Sequence, residues 1–443
     1  MSQPEVSYAR RLGVWDSAMM VVGGVIGAGI FLNPAIVAQR TDSETGLLGA
    51  WAFGGVIAFI GALCYAELGA RRPEAGGGYV YLREAFSPVV AFLFGWIMWV
   101  VNYSSSIAAV AMTFASYACK AVGVAPTMTK PLAVGAIVLL TGINILGIRA
   151  GAIVQNIVTV LKLVAVVAVV VAGLAIALPA PPDAMTAPTH HGFGAFGAAL
   201  LPVLFAYGGW SYINNIAGEV TAPQRNIPRA IAFGMLLVTA CYLLANFAYE
   251  RTLGHAGLAA STAPAAAVME AAFGPIGGLL IALGIAISTL GFCNVSIIGG
   301  ARMFQVMGAD GLFFDAAARL HPRFRTPHLA LMALSGWSIV LLVLPGNKYA
   351  DLLDYGTLGD WLGYAMVVAT LVYYRRSGEA TSFRVPGYPW LPALFIIAVL
   401  GVLVGHTLSA PRNAAISLGL ILAGLPVYWL KRRFNARAAA LGP

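Results

Sequence analysis

The chain reads as a succession of long apolar runs separated by short polar stretches. Twelve runs lie near residues 14–38, 46–70, 86–119, 131–148, 152–178, 195–218, 229–250, 275–304, 328–345, 353–374, 388–408 and 413–430. Each is long enough, or nearly so, to cross about 30 Å of hydrocarbon as a helix. They predict spans 1 to 12 and leave no room for a soluble domain. The first run is broken. Residues 21–34 (VVGGVIGAGIFLNP) carry Gly23, Gly24, Gly27 and Gly29 and end on Pro34, although each glycine costs a helix interior about 1 kcal/mol relative to alanine. Gly23-x-x-x-Gly27 is a contact motif for close helix packing. It is equally the signature of a helix that unwinds in mid-bilayer, where freed N–H and C=O groups are satisfied by a substrate or its ions. Both readings stand on this stretch alone. Span 6 has a matching weak spot at Tyr207-Gly208-Gly209, with Pro202 just before it. Interrupted apolar segments in corresponding positions of two halves point to a transporter binding site.

Composition narrows the class. Of 443 residues, 60% are hydrophobic and 10% charged, with a mean hydropathy of +0.83, against about 25% charged in a soluble domain. The net charge of +9 does not indicate nucleic acid. With a cytoplasmic N-terminus and twelve spans, 19 of the 26 Lys and Arg residues fall on the inner side and 6 on the outer side, with Lys162 inside span 5. That is the positive-inside asymmetry, and it puts both termini in the cytoplasm of a multi-pass protein of the cell (plasma or inner) membrane. A mostly polar stretch precedes span 1, which is long and glycine-broken and therefore reads as a retained span and not a cleaved signal peptide. Cys64, Cys119, Cys241 and Cys293 sit in or at the end of apolar runs with no CxxC pair, and His190-His191 has no Cys or His neighbour. No metal, cofactor or disulfide framework is implied. Gly76-Gly77-Gly78 lacks the Lys-Ser/Thr and preceding strand of a phosphate loop. No Ser-His-Asp set, HExxH or intramembrane carboxylate pair suggests an enzyme. Glu67 reads as a carboxylate at the membrane edge near Arg71. In span 8, Ser288, Thr289, Asn294 and Ser296 are too polar for a lipid-facing helix and are expected to face the bundle interior.

Several motifs together are more specific. The Gly27-Ala28-Gly29-Ile30-Phe31 break, Cys64-Tyr65-Ala66-Glu67-Leu68-Gly69 leading to Gly76-Gly77-Gly78-Tyr79-Val80-Tyr81, residues 154–163 (VQNIVTVLKL), Phe205-Ala206-Tyr207-Gly208-Gly209-Trp210 and Glu219 through Pro228 occur in that order. In this the chain resembles the amino acid–polyamine–organocation (APC) superfamily, and within it the L-type amino acid transporter branch. The resemblance implies an all-α integral membrane protein of 12 transmembrane helices: a 5+5 inverted repeat plus two peripheral helices. The expected layout is a cytoplasmic N-terminus at 1–13, repeat one at 14–178 and an extracellular loop at 179–194. Repeat two then covers 195–374, spans 11 and 12 cover 375–430, and a cytoplasmic C-terminus covers 431–443.

An α-amino acid needs a positive field for its carboxylate and acceptors for its ammonium, and a broken helix offers both. The N–H groups near Gly27, Ala28 and Gly29 begin the second half of span 1, where the helix dipole is positive. The carbonyls near Val25, Phe205 and Ala206 end the first halves of spans 1 and 6. The resemblance implies the same pose, with the Phe205 ring closing over the substrate. Many relatives have Gly-Ser-Gly where this chain has Gly27-Ala28-Gly29, so backbone N–H groups carry the carboxylate contact without a hydroxyl. Lys162 lies about 15 Å into span 5 at 1.5 Å per residue. A charge there costs on the order of 2.5–3.5 kcal/mol and calls for interior partners. The resemblance places it where sodium-coupled relatives of the wider fold hold Na⁺, its amine contacting span 1 carbonyls and a hydroxyl such as Ser288. At Gly208, relatives that accept cationic amino acids often carry an aspartate. The reading that follows is a sodium-independent exchanger of neutral L-amino acids. Proton-coupled symport, a channel and a non-transporting sensor are the alternatives. Eukaryotic relatives join a single-span glycoprotein through a Cys after span 3. Cys119 lacks that Pro-Thr-Cys-Pro-like context, so no disulfide-linked heavy subunit is expected.

Overall fold

The computed structural model describes residues 7–176, 193–346 and 348–440. His190-His191 and most of the expected extracellular loop lie outside the described residues. All twelve apolar runs are helical, and the span numbers are kept for them. Span 1 is two helices, Val14–Val25 and Gly29–Ala38, bent by 41°. Spans 2 to 5 are Glu44–Arg71, Pro88–Val122, Pro126–Ile145 and Ile148–Ala175. Span 6 runs Phe193–Tyr207 and resumes for one turn at Tyr212–Asn215. Spans 7 to 10 are Pro223–Ala260, Pro275–Ala309, His328–Val343 and Lys348–Arg376. Span 11 is Trp390–Ser409, and span 12 comprises Pro411–Leu422 and Gly424–Ala440.

Among the described residues, nine helices are long and apolar enough to cross a membrane, ten if the bent pair is one span. The two other expected spans differ for separate reasons. His328–Val343 has only 16 residues. Lys348–Arg376 is long enough but carries Lys348, Asp351, Asp354, Asp360, Arg375 and Arg376. Span 7 reaches beyond its apolar run at both ends, with a non-helical kink at Gly254, and span 8 continues past its run to Ala309. An additional apolar helix, Pro264–Phe273, lies between them, and the connector before span 9 forms a 3₁₀ turn at Asp315–Ala318.

Spans 1, 2, 6 and 7 pack on one another, as do spans 3, 4, 8 and 9, with span 5 against spans 1, 7 and 8 and span 10 against spans 2 and 3. The end of the bundle near the N-terminus is closed by a strap. The N–H groups of Arg11 and Leu12 donate to the Glu219 carbonyl, and that of Thr221 donates to Leu12. Beneath it, the Arg302 guanidinium grips the Glu219 carboxylate at 2.8 and 3.3 Å, both side chains fully buried. Glu67 is not merely an edge carboxylate. It accepts from Arg71, from Arg375 at the end of span 10 and from the Val385 N–H, so residues 383–389 serve to anchor span 11 to span 2.

Candidate functional site

The break in span 1 leaves a row of backbone groups without helical partners. Ile26 turns extended (φ −73°, ψ 96°), and the helix restarts only at Gly29. Among the described backbone hydrogen bonds, the N–H groups of Gly27, Ala28 and Gly29 have no acceptor. The orphan carbonyls are claimed by side chains from three helices. Lys162 Nζ donates to Gly23 (3.0 Å) and Ile26 (2.7 Å). Ser288 Oγ donates to Ile26 (3.2 Å) and Gly27 (3.0 Å). Tyr242 from span 7 donates to Val25 (3.1 Å) and also to Ala206 of span 6 (3.1 Å).

The two breaks touch. Gly209 takes φ +106°, a conformation open to glycine, and a Cβ added there would lie 2.1 Å from the Gly24 carbonyl oxygen. A Cβ on Gly24 would in turn meet the Gly209 carbonyl at 2.8 Å. The glycines of span 1 therefore serve both readings open in the sequence, close packing as well as unwinding. Next to this crossing lies a cavity of about 140 Å³. Val25, Gly27, Ala28 and Gly29 line it from span 1, and Phe205, Ala206 and Gly208 from span 6. Span 3 closes it with Asn102 and Tyr103, span 8 with Phe292, and span 10 with Asp360 and Tyr364.

An amino acid permease family model matches residues 12–430. The chain belongs to the amino acid permease family. The permease is 33% identical to the mouse b(0,+)-type amino acid transporter 1 over 96% of its own length and 88% of that protein's. It is 30% identical to the serine/threonine exchanger SteT of Bacillus subtilis, over 96% and 97% of the two chains. It is also 30% identical to the human large neutral amino acids transporter small subunit 2, over 96% of this chain and 81% of that one. These relatives are transporters and not enzymes, and the chain is a multi-pass membrane protein of the same family.

The seven residues expected to bind substrate all border the permease's central cavity. Phe205 is half exposed there, at 53%. The Val25 and Ala206 carbonyls share the single Tyr242 hydroxyl hydrogen, each at 3.1 Å, so each keeps at least one lone pair for an ammonium. Lys162 is fully buried, and all three of its donors end on carbonyls. The third is Ser288 O at 3.1 Å, in place of the Ser288 hydroxyl expected from the sequence, which bonds span 1 itself. The four polar residues of span 8 are all buried but have separate partners. Thr289 bonds back to its own helix. Asn294 joins a buried amide chain with Asn144 and Gln155, and Ser296 donates to the Tyr212 hydroxyl.

Four residues escaped the sequence reading. Tyr242 lies in an unbroken apolar run and gives no local signal. Asn102 and Tyr103 face the cavity because Met98–Tyr103 is wound as a π-helix, a deformation frequent at functional sites that no spacing announced. Asp360 had a signal: an ionisable residue inside an expected span marks function by default, the rule already applied to Lys162.

Proposed function

We propose that this permease is a sodium-independent secondary transporter that exchanges neutral L-amino acids by alternating access. The observation that carries the reading is the meeting of two helix breaks at one cavity. There, free N–H groups at the start of Gly29–Ala38 suit a carboxylate, and the half-satisfied Val25 and Ala206 carbonyls suit an ammonium. The fold we assign is five spans repeated in inverted topology, 14–178 and 195–374, with spans 11 and 12 peripheral. Supporting it, contacts recur at a shift of five spans: 1 with 7 and 6 with 2, 3 with 9 and 8 with 4, 5 with 8 and 10 with 3. Sodium independence rests on Lys162, whose ammonium ties spans 1, 5 and 8 where a monovalent cation would otherwise have to do so. Neutral selectivity rests on Gly208, which brings no charge to the cavity. In the topology we favour, both termini are cytoplasmic, the protein sits in the cell membrane, and it works without a disulfide-linked heavy subunit.

Counterflow in proteoliposomes tests this. Labelled leucine or alanine should enter faster when unlabelled amino acid is trapped inside, equally in sodium and choline buffers and without an imposed proton gradient. A strict sodium requirement, or uptake driven only by a proton gradient, defeats the mechanism. Unsaturable flux would indicate a channel, and no flux a sensor. Lysine or arginine competing as well as leucine or alanine would refute the neutral assignment alone.

A further inference from the structure

Asp360 lines the central cavity from span 10, and it is the only Asp, Glu, Lys, Arg or His among the described residues that do so. Its place is built. Span 10 presses against span 3 through small residues: a Cβ on Gly359 would meet Ile97 at 2.9 Å, and one on Gly356 would meet Val101 at 3.3 Å. That contact flanks the π-helical turn Met98–Tyr103, which sets Asn102 against span 10, its amide nitrogen 3.7 Å from a Cβ placed on Gly356, so that Asn102 and Asp360 line the cavity together. Among the described hydrogen bonds neither neighbouring tyrosine donates to Asp360: Tyr103 accepts from Asn215, and Tyr364 faces Ser211. No Lys, Arg or His forms an ion pair with Asp360 among the described ion pairs.

A carboxylate is an acceptor with about four lone-pair sites, of which the Asn102 amide can fill one. Water can serve the others while the cavity is empty. An apolar side chain entering the cavity would expel that water and leave the acceptor unpaired, whereas a hydroxyl or amide would replace it. The space suits a modest ligand, since 140 Å³ holds on the order of ten waters. We propose that Asp360 and Asn102 form the side-chain subsite of this cavity, and that it selects neutral amino acids ending in a hydrogen-bond donor, of the threonine class, over apolar isosteres of the valine class. This rests on the reading that the cavity holds an amino acid.

Dissociation constants for threonine, valine, alanine and lysine, from ligand-dependent melting of the purified full-length protein, test it. The wild type should bind threonine about ten- to a hundredfold more tightly than valine, the range of a hydrogen bond to a charged group. Asp360→Leu should bring that ratio close to one, and Asp360→Asn, whose amide oxygen still accepts, should fall between. An alanine-induced shift of any size shows that a variant is folded. If Asp360→Leu shows none, the near-isosteric Asp360→Asn decides, with the threonine preference expected to drop at least threefold. Equal binding of threonine and valine by the wild type overturns the proposal, as does a ratio that both variants leave unchanged. Lysine binding more tightly than threonine in an Asp360-dependent manner also overturns it, in favour of a cation subsite. If no amino acid shifts the wild type, alanine included, the transport reading itself fails.

Discussion

Replacing Lys162 by methionine keeps the side chain's approximate length and removes its charge. The ammonium makes three bonds, to Gly23, Ile26 and Ser288, each worth about 1.5–3 kcal/mol as a bond to a charged group. Their loss is uneven. The Ile26 carbonyl keeps the Ser288 hydroxyl. Among the described hydrogen bonds the Gly23 carbonyl has no other donor, and an orphaned buried acceptor costs about 1–3 kcal/mol. Against this, the variant no longer buries a charge, whose desolvation is itself several kcal/mol. The two terms nearly offset, so the melting temperature should move by only a few degrees. Transport is another matter. If the three bonds favour one conformation of span 1 over the other by even about 2 kcal/mol, their loss shifts that equilibrium by about thirtyfold. Lys162→Met should therefore lower exchange in proteoliposomes at least tenfold while the protein still elutes as a sharp, folded peak. Sodium should not restore it, because methionine offers no oxygen ligand. A variant that exchanges normally refutes the gating role, and one that unfolds outright shows that the lysine is a structural strut.

Four further outcomes follow from the same geometry. Gly209→Ala should abolish a well-folded product, because the new methyl collides with the Gly24 carbonyl at a positive φ, whereas Gly208→Ala, with 3.3 Å to the Phe205 carbonyl, should still purify; size-exclusion profiles compare them. Glu219→Gln leaves the buried Arg302 without its counter-charge and should destabilise by about 3–5 kcal/mol, seen as a large fall in melting temperature in detergent. Tyr242→Phe removes one hydroxyl serving two carbonyls, and should destabilise by about 1–3 kcal/mol and weaken substrate binding; an unchanged melting curve would contradict the bridge. On non-reducing gels from native membranes the protein should run without a mixed disulfide, since Cys119 is buried, and a thiol-sensitive larger band would show otherwise.

The sequence was most legible where a residue type contradicted its surroundings. Four glycines in one apolar run located the break in span 1, and Tyr207-Gly208-Gly209 located its counterpart. A lysine ten residues into span 5 had to have interior partners. Contradictions of that kind depend on composition alone, so no neighbour in space was needed to see them. What stayed hidden depends on neighbours. Tyr242 is an ordinary aromatic in an apolar helix until spans 1 and 6 place two orphan carbonyls beside its hydroxyl. The π-turn that aims Asn102 has no sequence period of its own. The Ser288 hydroxyl and carbonyl exchanged their expected roles because which one faces Lys162 depends on helix rotation, which periodicity fixes only coarsely. The lower count of clear spans has a simpler origin, since the charged residues of span 10 depress the apolar signal of the helix carrying them.

These tethers are not equivalent, and the packing says why. Tyr242 joins spans 1 and 6 from span 7, and the Gly24–Gly209 contact joins spans 1 and 6 directly; all three spans belong to one packed group. Lys162 and Ser288 instead reach the same break from spans 5 and 8, outside that group. If one group rocks against the other, the first set of contacts travels with span 1 and the second must be remade. The glycine crossing and Tyr242 then keep the two breaks in register through the cycle, so their loss should appear as lost stability and affinity. Lys162 and Ser288 sit across the moving boundary, so their loss should appear as lost turnover. On that reading the break in span 1 is held by two kinds of partner, one fixing the shape of the site and the other setting which side it opens to.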